Sequence, residues 1–171
     1  KVSAFSQQIQ DTEEYEEAHK FYDVMLADLG SVSGLLDDVW ADGPGMTQLD
    51  LELDYDLFKS FLDKNGIGEN AVFTSVFAYT LSRFTGSEKV FFNILENGRG
   101  RFNNLDAIGM FVNTLPILAD CKNQDVSDFI SYMSDLAYDV MKYNYYPFRL
   151  LASEYDIDIS ILFQYIPEWI G

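Results

Sequence analysis

Ile108-Gly109-Met110-Phe111-Val112-Asn113-Thr114-Leu115-Pro116 is the stretch on which the reading of this chain turns. It is apolar enough for a strand, and it continues through Ile117, Leu118 and Ala119. Asn113, Thr114 and Pro116 interrupt it. Proline has no N–H to give to a ladder, so a strand over residues 111–119 must lie at a sheet edge or carry an irregularity there. Asn113 brings both a donor and an acceptor into an apolar setting. It either orients something in a cleft or satisfies backbone groups beside Pro116.

Upstream, residues 89–96 place Val90, Phe91, Phe92, Ile94 and Leu95 in a run that reads as a buried strand. Between the two strands stand Gly98, Gly100 and Gly109, with Arg99 and Arg101 among them. No Gly-Lys-Ser/Thr follows, so the glycines point to a loop with permissive backbone angles rather than a phosphate cradle. Arg99 and Arg101 are two of only 11 basic residues. They either reach an anion or a neighbouring lobe, or pair with nearby acids and order the loop.

Helical periodicity flanks this pair. Residues 2–29 read as helix, broken near Asp11-Thr12, with Ala18, Phe21, Tyr22, Met25, Leu26 and Leu29 at helical spacing and Gly30 as a stop. Residues 31–45 read as a loop. Leu49, Leu51 and Leu53 alternate with polar residues, the period of a half-buried strand. Leu57, Phe58, Phe61 and Leu62 mark a short helix ended by Asn65-Gly66. Residues 70–84 have little polar face, which predicts a helix buried on most sides. Val126, Phe129, Ile130, Met133, Leu136, Ala137, Val140 and Met141 give the clearest amphipathic helix, with Asp125 as N-cap. Tyr145-Tyr146-Pro147 breaks it, residues 148–153 read as a helical turn, and residues 158–166 read as a last strand. Helices and strands mixed in this way predict a two-layer α/β sandwich with a mixed sheet and helices packed on one face.

The 171 residues carry 28 acidic against 11 basic side chains, a formal net charge of −17. Such a surface repels phosphate backbones and anionic lipid, so nucleic acid and membrane surfaces are not expected partners. No apolar run approaches the ~20 residues needed to span a bilayer. Cys121 is the single cysteine, which fits a reducing, cytoplasmic setting, and it reads as a structural thiol. His19, on an acidic helix, reads as an exposed surface residue. Asp37-Asp38 and Asp156/Asp158 match no cation cage, so no metal is expected.

In this order the motifs resemble the condensation domains of nonribosomal peptide synthetases, in their second half. Residues 108–116 are similar to that family's Gly-x-Phe-Val-Asn-Thr-Leu-Pro motif, and Asn97-Gly98-Arg99-Gly100-Arg101 to the Gly-Arg segment before it. Arg83-Phe84-Thr85-Gly86 sits where the family ends a helix in Arg-Tyr-Thr-Gly, and Tyr146-Pro147-Phe148 matches its Tyr-Pro-Phe-Glu motif. Leu118 stands where the family has arginine, Arg149 where it has an acid, and Tyr143, Asn144 and Tyr145 replace polar residues.

The resemblance implies residues 1–171 as one C-terminal lobe of chloramphenicol-acetyltransferase-like fold. The N-terminal lobe, with its His-His-x-x-x-Asp-Gly motif, would precede Lys1, so no catalytic residue is expected in this chain and the lobe alone should be inactive. The implied reaction is amide formation between acyl and aminoacyl thioesters, with phosphopantetheine carried by upstream and downstream peptidyl carrier proteins and an adenylation domain in the same polypeptide. Asn113, Thr114, Arg99, Arg101 and Phe111 are the implied tunnel or lobe-interface residues. The alternatives are a degenerate module that recruits a carrier protein or tailoring enzyme, and a related coenzyme A-dependent acyltransferase lobe.

Overall fold

A computed structural model describes residues 12–32, 34–35, 43, 45–96, 112–122, 125–157 and 159–166. Helix α1 covers Glu13–Met25 and is followed by a 3-10 turn, Leu29–Ser31, that contains Gly30. Helix α2 is Tyr55–Asn65 and α3 is Glu69–Thr85. Strands β1, Lys89–Glu96, and β2, Asn113–Asp120, come next, then α4, Val126–Lys142. A tyrosine-rich turn leads to α5, Phe148–Tyr155, and to the short strand β3, Leu162–Phe163.

Helix ends follow local chemistry. The Thr12 side chain accepts from the Tyr15 N–H, Asp54 from Leu57 and Asp125 from Ser127, each satisfying a first-turn donor. Gly66 and Gly86 close α2 and α3 in the left-handed region, at φ 63° and 68°, where a side chain would be strained.

The sheet has the order β2-β1-β3. β2 runs antiparallel to β1 with Asn93 opposite Pro116, and β3 runs parallel on the other side. The Asn93 N–H donates to the Ile161 carbonyl, so Asn93 faces β3 and makes no ladder bond with Pro116. Pro116 therefore turns its ring nitrogen to the outer edge, where no donor is required. The expectation of an edge strand is met in this register. The outer edge is also closed at two points. Thr114 N–H donates to its neighbour's Asn113 Oδ1 at 3.1 Å, and Asp120 N–H to the Tyr132 hydroxyl at 3.1 Å.

Val90, Phe92 and Ile94 of β1 share a face with Leu115, Ile117 and Ala119 of β2. Against them pack Ala78 and Leu81 of α3 and Phe129, Met133 and Val140 of α4. The mixed α/β sheet is as expected, but the helices are not confined to one face. A second cluster gathers Leu118 and Phe91, which alternate out of the first, with Ala18, Tyr22 and Leu26 of α1, Tyr143 and Tyr146, and Leu151 of α5.

Three further expectations are corrected. Residues 47–53 form no strand. Leu49 and Leu51 are 81% and 76% exposed, because an alternating segment becomes a strand only where a ladder receives it, and none of the described strands does. Helix α3 is not buried on most sides. It buries Thr74, Ser75, Ala78, Leu81 and Ser82 and exposes Val76, Tyr79 and Phe84. Small side chains let it approach β1 and α4 closely. Their hydroxyls are satisfied in place: Thr74 donates to the Asn70 carbonyl at 2.7 Å, Ser75 to Ala71 and Ser82 to Ser87, both at 2.6 Å. The last strand is only two residues, Leu162–Phe163, since β1 offers it just two pairing positions.

Candidate functional site

The hairpin of β1 and β2 ends where Glu96 faces Asn113. There the Asn113 side-chain amide donates to the main-chain oxygen of Asn144, in the turn after α4. Asn144 in turn donates through Nδ2 to Glu96 Oε2 at 3.2 Å. Glu96, Asn113 and Asn144 thus join the Asn-Thr end of β2 to the segment that leads into Tyr146-Pro147-Phe148. Motifs about thirty residues apart in sequence meet through a single side chain. Asn113 and Thr114 are half-buried, and Thr114 lies opposite Leu95. The Asn113 side chain thus bonds backbone groups of Asn144 and Thr114.

Beyond Asn144, tyrosines weld the turn to α1. The Tyr15 and Tyr146 rings stack with centroids 4.8 Å apart, and Tyr143 meets Phe21 at 4.8 Å. The Tyr145 hydroxyl donates to the Glu14 carbonyl at 2.8 Å. Glu17 receives Lys142 at 3.3 Å and the Tyr143 hydroxyl at 3.1 Å, and these donors hold its carboxyl below the ordinary range. Tyr143 and Tyr146 are buried, so they seal a core. Leu118 is buried in the same cluster.

Other candidates resolve differently. Cys121 is buried with its Sγ 3.6 Å from the Ala78 carbonyl, and burial pushes its thiol up to about 11. A nucleophilic cysteine needs the opposite shift, so it is a structural thiol. His19 is not an exposed surface residue. It is half-buried between α1 and α5, in contact with Asp23 and Glu154. Its partner Glu154 lies on another helix, which helical periodicity could not place. The partners Glu96 and Asn144 carried no sequence signal either. Arg99, Arg101, Phe111, Asp37, Asp38 and Asp158 lie outside the described residues. Asp156 follows α5 in the left-handed region at φ 50°. Among the described residues no helix is long and apolar enough to cross a membrane.

A donor–acceptor network of amides and a carboxylate can orient a polar group or brace a wall.

The condensation domain family model matches residues 3–166. Over 108 residues, 61% of this chain, the sequence is 30% identical to surfactin synthase subunit 1 of Bacillus subtilis (strain 168), of which it spans only 3%. SgcC5 from Streptomyces globisporus superposes with a TM-score of 0.73 at 15% identity, over 94% of this chain and 40% of that one. The first condensation domain of the calcium-dependent antibiotic synthetase does so with 0.70 at 15% identity, over 95% and 39%. At these identities the two structures speak for the fold, and the chain spans about two fifths of each. The match of the family model over nearly the whole sequence is what decides membership: the chain belongs to the condensation domain family.

Proposed function

We propose that residues 1–171 act as the second lobe of a condensation domain. With a preceding lobe they would form an amide between an acyl thioester and an aminoacyl thioester, both carried on phosphopantetheine of carrier proteins. The observation that carries this reading is the apolar surface left open: Leu49, Leu51 and Leu53 stand exposed on the segment before α2, with Val76 and Tyr79 exposed on α3. Large apolar side chains left exposed in such number favour a covering partner.

In the reaction a neutral amine attacks the thioester carbonyl, the new C–N bond forms, the C–S bond breaks and the thiol leaves. A base must accept the proton of the amine, and donors must meet the developing oxyanion. His19 is the single histidine, and it is occupied by Asp23 and Glu154. We assign the base to the preceding lobe. Asn113 and Thr114, with Arg99, Arg101 and Phe111 on the segment before them, are assigned to the tunnel wall and lobe contact. An adenylation domain loading the carriers is the matching partner.

The test is amide formation from carrier-bound substrates. The 171-residue chain alone is expected to give no product above background. The same chain joined to the polypeptide that precedes it is expected to restore turnover, provided that polypeptide contains His-His-x-x-x-Asp-Gly. A folded two-lobe protein with that motif that makes no amide overturns the reading. Turnover with coenzyme A thioesters but not with carrier-bound ones would replace it by an acyltransferase.

A further inference from the structure

One imidazole fastens α1 to α5. His19 Nδ1 lies 3.0 Å from Asp23 Oδ2, one turn along α1. His19 Nε2 lies 2.7 Å from Glu154 Oε1 on α5. Ionised carboxylates only accept, so both contacts are hydrogen bonds only when both ring nitrogens carry protons. Removing either proton leaves a lone pair facing a carboxylate oxygen.

The carboxylates are themselves held. The Tyr155 hydroxyl donates to Asp23 Oδ1, and the Tyr146 hydroxyl lies 3.5 Å from Glu154 Oε2 and 3.1 Å from the Tyr15 hydroxyl. The Tyr146 ring lies 6.2 Å from the imidazole. The titratable groups around His19 are therefore Asp23 and Tyr15 on α1, Glu154 and Tyr155 on α5, and Tyr146 on the turn between α4 and α5. Burial first, and their neighbours after it, push the Tyr146 and Tyr155 hydroxyls above their ordinary value, so these two stay neutral where His19 titrates.

We propose that His19, Asp23 and Glu154 form a proton-operated clasp, in which the doubly protonated imidazole docks α1 on α5 and its neutral form lets that contact loosen. The hydrogen bond to Glu154 raises the His19 midpoint above 6.5, against the opposing effect of burial, and Asp23 adds to the rise. A raised folded value fixes the sign: the stabilisation is whole below 6.5 and is lost as pH climbs through the folded midpoint. The same three side chains place ligand atoms within 4.8 Å of one another, so a divalent cation is the rival occupant. The two carboxylates approach different ring nitrogens, however, and a cation bound to one nitrogen would break one of the contacts just described.

The test exploits the single histidine of the 171-residue chain, whose Cε1–H NMR signal has no competitor. Its shift is followed from about pH 5 to pH 9 in the wild type, Glu154→Gln and Asp23→Asn. The wild-type midpoint is expected above 6.5, with a downward move in each variant, larger in Glu154→Gln. In parallel, the urea midpoint of the wild type is expected to fall across that range and that of His19→Gln to stay flatter. A wild-type midpoint at or below 6.5, or one unmoved by Glu154→Gln, overturns the clasp. So does loss of the titration on adding one equivalent of zinc chloride, which would make the cluster a metal site. Should His19→Gln fail to fold, the NMR comparison decides alone.

Discussion

The Asn113 side-chain amide donates to the main-chain oxygen of Asn144, so β2 and the turn after α4 close on each other through one residue. Asn113→Ala removes that donor and the acceptor for Thr114 N–H together. A loss of about 1–3 kcal/mol is expected, the cost of stranding partly buried polar groups. Asn113→Asp keeps the acceptor but turns a carboxylate toward the Asn144 carbonyl beside Glu96. It should lose more than the alanine variant at neutral pH and recover as the solution is acidified. Urea midpoints of both variants at two pH values check this.

The Tyr22 hydroxyl is buried with no hydrogen-bond partner among the described residues, and burial holds it well above its ordinary titration range. Tyr22→Phe keeps the ring in its cluster and removes the stranded oxygen. A gain of up to about 1 kcal/mol is expected, where most buried substitutions lose stability. A thermal midpoint lower than that of the wild type would contradict it.

Phe92 is fully buried beneath α3 and meets Phe77 edge-on with centroids 5.2 Å apart. Phe92→Ala leaves a cavity in the centre of the sheet face and is expected to cost about 3–5 kcal/mol. Val126→Ala, at a 71% exposed position of α4, should change stability by less than about 0.5 kcal/mol. Equilibrium unfolding of the pair separates core from surface within one sequence.

With its thiol pushed up from 9.0 to about 11, Cys121 carries roughly 100-fold less thiolate at pH 8 than an unshifted cysteine. Labelling by a thiol reagent should be slow in the folded chain and rapid in denaturant. Fast labelling of the folded protein would show that β2 opens at that end.

What the sequence revealed and what it hid divide by range. Asp125 announces a helix start because a cap is decided within three residues. Pro116 announced an edge because its lack of an N–H is intrinsic. The alternation at Leu49, Leu51 and Leu53 misled, since a strand is a property of a pair and period two does not name the partner. α3 misled because Ala71, Val72, Phe73, Val76 and Phe77 crowd its sequence, while its inner face draws on Thr74, Ser75 and Ser82. Of the candidate site, Asn113 was legible as a polar side chain in an apolar run. Glu96, Asn144 and Glu154 were not, because the fold alone brings them to their partners.

The arrangement along the outer flank of β2 bears on how this chain would misassemble. Cross-β growth needs a row of free amide and carbonyl groups onto which another copy can zip. On this flank residue 116 has no hydrogen to offer, and those of Thr114 and Asp120 are already given to the Asn113 side chain and the Tyr132 hydroxyl. Heat-driven fibril seeding is thereby steered away from β2 and toward the exposed Leu49, Leu51 and Leu53, where a charged replacement should suppress it.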